Sequence, residues 1–238
     1  MPPPVDVNIT ALNAILDRTY KNIPSGDGPD RGHFDRITGP LAEIGEGANA
    51  LHKLHLSRDP NETDAVHFKR VATAAKKLAY NINLADSAVK VAKQRADADV
   101  QNRTMTTLRL NPDGYAAEIR AVYRQMSQQQ RTKLLEELME STLRGPELAA
   151  ILRAPGSTTG MSDLQREQYY ESYRATHAKQ EIAEEKMVEK TFEVAIASLQ
   201  TAREIAAAYT DERKLADIAK REAEAAAARQ NFDAKVRA

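Results

Sequence analysis

From Glu181 to Tyr209, the apolar residues Val188, Phe192, Ala195, Leu199, Ala202 and Ala206 recur at alternating steps of four and three. That spacing draws a stripe along one side of an α-helix. Neither glycine nor proline occurs from Met161 to Ala238, so the C-terminal third predicts as helical, either one rod or a hairpin bent near Tyr209. A rod from Ser162 to Arg237 would be roughly 110 Å long at about 1.5 Å per residue, too long to be covered by the rest of the chain. The rod is the favoured form, and its stripe then predicts a self-association seam.

The remaining segments repeat the helical period between turn signals. Pro2 to Asp6 predicts an extended arm, Asn8 the cap of a short helix to about Ile23, and Pro24 to Gly32 a flexible loop. Gly39-Pro40 fits a helix start, followed by Leu41, Ile44, Ala48, Leu51 and Leu54 on one face, with an end near Ser57. Gly45 and Gly47 within it point to close backbone approach or a bend. Pro60-Asn61-Glu62 opens a long helix to about Arg103, whose bundle seam centres on Leu78, Ile82, Ala85 and Val89.

Asn111-Pro112-Asp113-Gly114 marks a turn, and helices are predicted over Tyr115–Met126, Gln128–Leu143 and Glu147–Arg153, followed by an exposed loop at Ser157–Gly160. Ser127 with Gln130, and Ser162 with Gln165, have capping-box spacing. The pattern predicts an all-α protein: a helical bundle with a long C-terminal coiled-coil-like helix. Its expected divisions are an arm, short helix and loop over 1–36, a bundle over 37–156 and a self-associating region over 157–238.

Composition refines this picture. Aromatics make up 5% of the 238 residues and tryptophan is absent, so much of the apolar content is alanine, which implies closely approaching helices. Lys and Arg equal Asp and Glu at 34 each, so no global field points to an acidic or basic partner. Cysteine is absent, which removes thiolate metal sites and cysteine nucleophiles. The N-terminus has neither a basic region nor an apolar run, so secretion through a signal peptide is not expected. No apolar stretch approaches the roughly 20 residues of a membrane-spanning helix.

Candidate chemistry is sparse. His52 and His55 share a helix face, with His67 at the start of the next helix, but no carboxylate stands at ligand spacing, so they read as solvated or stripe-edge residues. Glu181, Glu184 and Glu185 sit among lysines as a salt-bridged face. Phosphate loops, G-x-S-x-G and H-E-x-x-H motifs are missing, so neither an enzyme, a cofactor, a metal nor a small-molecule substrate is expected. Between Val66 and Ala96 seven basic residues face one acid, Asp86. Of these, Lys69, Arg70, Lys76, Lys77, Lys90 and Arg95 are candidate phosphate contacts. Tyr169, Tyr170 and Tyr173 are candidate interface anchors, or else they cover the Pro155–Gly160 loop.

The run Glu147-Leu148-Ala149-Ala150-Ile151-Leu152-Arg153-Ala154-Pro155-Gly156, with Gly160-Met161-Ser162-Asp163-Leu164-Gln165-Arg166 after it, resembles a phrase found in proteins of tailed bacteriophages. The alanine- and glutamine-rich helices also resemble phage internal virion or ejection proteins. The resemblance implies a multi-copy structural role in a particle, with copies of itself and other structural proteins as partners, located in the virion or in the cytoplasm of the producing cell. It assigns no functional residue. The alternative from the residues is a helical nucleic-acid-binding or scaffolding factor using the basic segment 66–96.

Overall fold

The computed structural model describes residues 9–21 and 31–236. The Pro2–Asp6 arm, the Asn8 cap and most of the Pro24–Gly32 loop lie outside them. The protein is all-α, with no strand among the described residues. In chain order the helices are α1 (Ile9–Lys21), α2 (Arg31–Leu56), α3 (Asp64–Leu108), α4 (Ala116–Gln125), α5 (Gln128–Met139), α6 (Gly145–Leu152), α7 (Gly156–Thr159), α8 (Asp163–His177), α9 (Lys179–Ala208) and α10 (Glu212–Val236). A 3₁₀ turn, Thr142–Arg144, precedes α6.

The chain forms two compact units, and they do not follow the divisions expected at 36 and 156. Residues 1–92 with 191–238 make the first, and residues 93–190 the second. The boundaries fall inside the long helices α3 and α9, where neither glycine nor proline marks them.

In the first unit, α1 lies against α2 through Leu12 and Leu16, and a paired amide contact between Asn13 and Asn49, at 3.2 and 3.3 Å, satisfies both side chains. A Cβ on Gly45 would meet Leu16 Cδ1 at 2.6 Å, and one on Gly47 would meet Leu78 Cδ1 at 3.0 Å. These glycines therefore mark close approach. Helix α2 begins at Arg31, well before Gly39-Pro40, and carries Pro40 inside it. Gly39 has no Cβ to clash with the proline ring, which eases the usual block on helix before proline.

The bundle seam Leu78, Ile82, Ala85 and Val89 is buried on α3. Asp86 meets Arg203 of α9 at 3.3 Å, Lys76 meets Glu212 of α10 at 2.9 Å, and Lys69 pairs with Glu222 further along α10. As position rises on α9 and α10 it falls on α3, so within this unit α3 runs antiparallel to the end of α9 and then to α10. The C-terminal region is therefore neither the rod nor the hairpin. It breaks at Tyr209–Asp211 without reversing, because Asp211 Oδ1 accepts hydrogen bonds from the Arg213 and Lys214 amides, each at 3.1 Å, and starts a new helix.

A second break, at Ala178 (φ −122°, ψ 42°), separates α8 from α9 in the second unit. That unit is built around α6, which is buried from Leu148 to Leu152 and packs against α4, α5 and α8. Leu108, Leu110, Tyr123, Leu135, Leu138 and Tyr173 close the core about it. Helix α3 reaches Leu108, five residues beyond the expected end, and stops with Arg109 at φ 51°. The Leu110 amide donates to Met105 O and the Arg109 amide to Thr106 O, both at 3.2 Å. This is a Schellman closure with arginine where glycine is usual.

Ser127 and Ser162 both form complete capping boxes with Gln130 and Gln165. The expected loop at Ser157–Gly160 is instead the helical turn α7, closed by Gly160 at φ 73°, with Thr159 fully buried. A Cβ on Gly156 would stand 2.6 Å from Met161 O, which explains the tightness of this turn.

Candidate interaction surface

The stripe expected to join copies is already covered within the chain. Ala195, Leu199, Ala202 and Ala206 are buried in the first unit, Phe192 is half-buried, and Val188 is buried in the second. Helix α3 runs antiparallel beside this part of α9, with Asp86 meeting Arg203 at 3.3 Å, a neighbour the spacing of the stripe cannot reveal. Tyr173 is likewise a core residue and not an exposed anchor: it is fully buried and its hydroxyl donates to Leu108 O at 3.3 Å. Tyr169 and Tyr170 pack half-buried on the same core.

The basic segment of α3 is largely neutralised by the chain itself. Lys69 pairs with Glu222, Lys76 with Glu212, Arg70 with Glu62 at 3.0 Å, and Lys90 with Asp86 at 2.8 Å. The hydrogen bond from Lys90 holds the Asp86 carboxyl below its usual range, against the opposing effect of burial. Among the described residues no ion pair involves Lys77 or Arg95. In the second unit, Lys93 is pulled down by burial, yet hydrogen bonds to Asp97 and Glu189 leave its ammonium raised overall. Lys93, Asp97, Glu185, Glu189 and Arg174 line a groove of about 320 Å³ there. Their charges are engaged with one another, through Lys93 with Asp97 and Glu189 and Arg174 with Glu185. Arg103 and the buried Glu184 form a further ion pair.

His52 and His55 meet Tyr209 in the first unit, and His67 stands beside His55. Tyr209 is buried, and its hydroxyl lies 2.8 Å from His52 Nδ1. The His55 ring stands 5.0 Å from the Tyr209 ring and 6.3 Å from that of His67. His67 Nε2 reaches His55 O at 3.1 Å, and its Nδ1 faces Glu62 at 3.4 Å. Among the described residues no group of three His, Asp or Glu is arranged to hold a metal ion.

What remains open is α10. Its apolar positions Leu215, Ile218, Ala225, Phe232 and Val236, with Glu222 and Arg229 interleaved, continue the three-four spacing. Leu215 and Ile218 are half-buried, whereas every residue of α10 with a described side chain from Ala219 onward is exposed, Phe232 and Val236 each at 67%. Contacts that hold α10 to α3 include the two exposed ion pairs and Lys214 Nζ over the Phe68 ring at 4.4 Å. Such exposed pairs are each worth at most about 1 kcal/mol. Glu222 already meets Lys69 near the start of α3, so the last turns of α10 extend past the helix that supports its beginning. On α3, Tyr80, Leu84 and Val91 form a second exposed apolar row in the same unit.

No described helix is long and apolar enough to cross a membrane. The fold and surface together define an all-α bundle protein whose last described helix, α10, is exposed from Ala219 onward wherever its side chains are described. Comparison with protein-family models, with curated proteins and with solved structures finds no match.

Proposed function

We propose that the protein is a non-enzymatic structural or assembly component that self-associates through α10. The observation that carries this reading is the amphipathic stripe of α10 running out into solvent, with Phe232 and Val236 at its end. Burial of two such side chains against a partner favours association by about 1.5–3 kcal/mol each. A second copy suits the helix electrostatically: α10 has six basic and five acidic side chains, and the whole chain carries a formal charge of zero. Neither the helix nor the molecule therefore repels its own kind strongly.

On the resemblance in residues 147–166 we propose, as the particular form of this role, a multi-copy internal or ejection protein of a tailed-phage virion, with other structural proteins as further partners. The alternative, a nucleic-acid-binding or scaffolding factor using 66–96, has four of its six candidate cations paired with carboxylates of the same chain. Two preparations of the full chain carrying different affinity tags test the proposal. After mixing, they should co-purify, and the double variant Phe232→Glu, Val236→Glu should not. Equal recovery of wild type and variant would exclude α10 as the contact.

A further inference from the structure

We propose that the cluster of His52, His55 and His67 around Tyr209 is an acid-sensitive latch that holds α10 along α3 at neutral pH and frees it on acidification. The geometry supplies each part. Tyr209 occupies the break between α9 and α10 and is the last buried side chain before α10 begins. Beyond it, the contacts of α10 include two exposed ion pairs, the Lys214–Phe68 contact and the half-buried Leu215 and Ile218, and its described side chains from Ala219 onward are exposed. Loosening the root therefore leaves a weakly held helix.

The polar contact at that root depends on protonation. Burial pushes the Tyr209 phenol above its ordinary value, so it remains a donor at neutral pH. Tyr209 Oη and His52 Nδ1 lie 2.8 Å apart in a hydrogen bond whose direction the imidazole tautomer sets; in the Nε2–H tautomer the phenol donates and Nδ1 is unprotonated. An imidazolium would place a donor there and reverse that bond, leaving the buried phenol proton without its acceptor.

Packed against Tyr209, His55 is lowered first by burial, then by His67 and His52. A histidine held below its ordinary value of about 6.5 favours the folded arrangement above that pH. The contribution is lost as pH falls through the lowered value, where the unlatched form takes up the proton more readily. The charged groups named around the cluster come from the segment between α2 and α3 and from α3 itself. They are Arg58 and Glu62 between α2 and α3, Arg70 on α3, which lies 3.2 Å from His67 Nδ1 and 3.0 Å from Glu62, and His67 itself, which faces Glu62. Glu62 is shared with Arg70 and faces His67, so it does not offset charge on His52 or His55.

The latch stands on the geometry of the first unit. Its bearing on assembly rests on the docking role proposed for α10, which a distance measurement within one chain does not test. Because the chain has no cysteine, exposed Thr73→Cys on α3 and Ala223→Cys on α10 accept spin labels selectively. Label separation in magnetically diluted full-length protein is then read by pulsed electron resonance between about pH 8 and 5, with far-UV circular dichroism in parallel. The expected result is a shift to longer, broader distances as pH falls, at constant helix content, and its loss in the His52→Gln, His55→Gln variant. An unchanged distance in the wild-type background would overturn the proposal. So would equal opening in the histidine variant, which would assign the effect to the surface carboxylates, or loss of helix content in step with the opening, which would make the event unfolding.

Discussion

Leu199 carries the clearest consequence at the scale of single residues. It is fully buried against the chain's own helices, so Leu199→Ala removes core volume and costs about 2–5 kcal/mol. Chemical denaturation should show that loss while the mass of the native protein stays the same. A change of mass without loss of stability would return the residue to an intermolecular seam. Arg109 gives the opposite sign. Its positive φ strains a residue with a Cβ, so Arg109→Gly should raise the denaturation midpoint by the equivalent of about 1 kcal/mol. An unchanged or lower midpoint would mean that the arginine side chain compensates for the strain. Arginine at the closure also explains why the end of α3 is hard to read in sequence: the usual glycine signal is missing, and tertiary contacts of Leu108 and Leu110 set the stop.

At the scale of elements, periodicity was most informative where a stripe has one face. The seam of α3, both capping boxes and the all-helical character follow directly from residue spacing. What spacing does not contain is the identity of the covering element. The α9 stripe is long enough to suggest another chain, yet it is buried within this one, with α3, some hundred positions earlier, running beside it. Helix breaks made by side chains are equally obscure: Asp211 ends one helix by capping the next, and Ala178 carries no breaker signal at all. The three histidines were visible individually, but only folding brings His52 and His55 to Tyr209. Helix α10 follows a simpler rule, since few buried contacts support it. Amides of Ala225 to Asp233 should exchange with deuterium faster than those of Leu78 to Val89 in dilute protein, and slow down on association. Equal protection of both segments in dilute protein would show that α10 is more firmly held than its contacts allow.

For the whole molecule, the balance between covered and uncovered stripes decides what the protein can do. The interior seams are buried within the chain, the cations of α3 are mostly paired, and among the described residues exposed apolar rows lie on α10 and on the Tyr80 side of α3. The proposed assembly role rests on those exposed rows. Sedimentation velocity of the full chain over a range of concentrations tests that account most directly. It predicts a mass that rises above the 26.3 kDa of one chain with concentration, and that returns to one chain in the Phe232→Glu, Val236→Glu variant. A single chain at every concentration would contradict it, as would an assembly that the variant leaves intact.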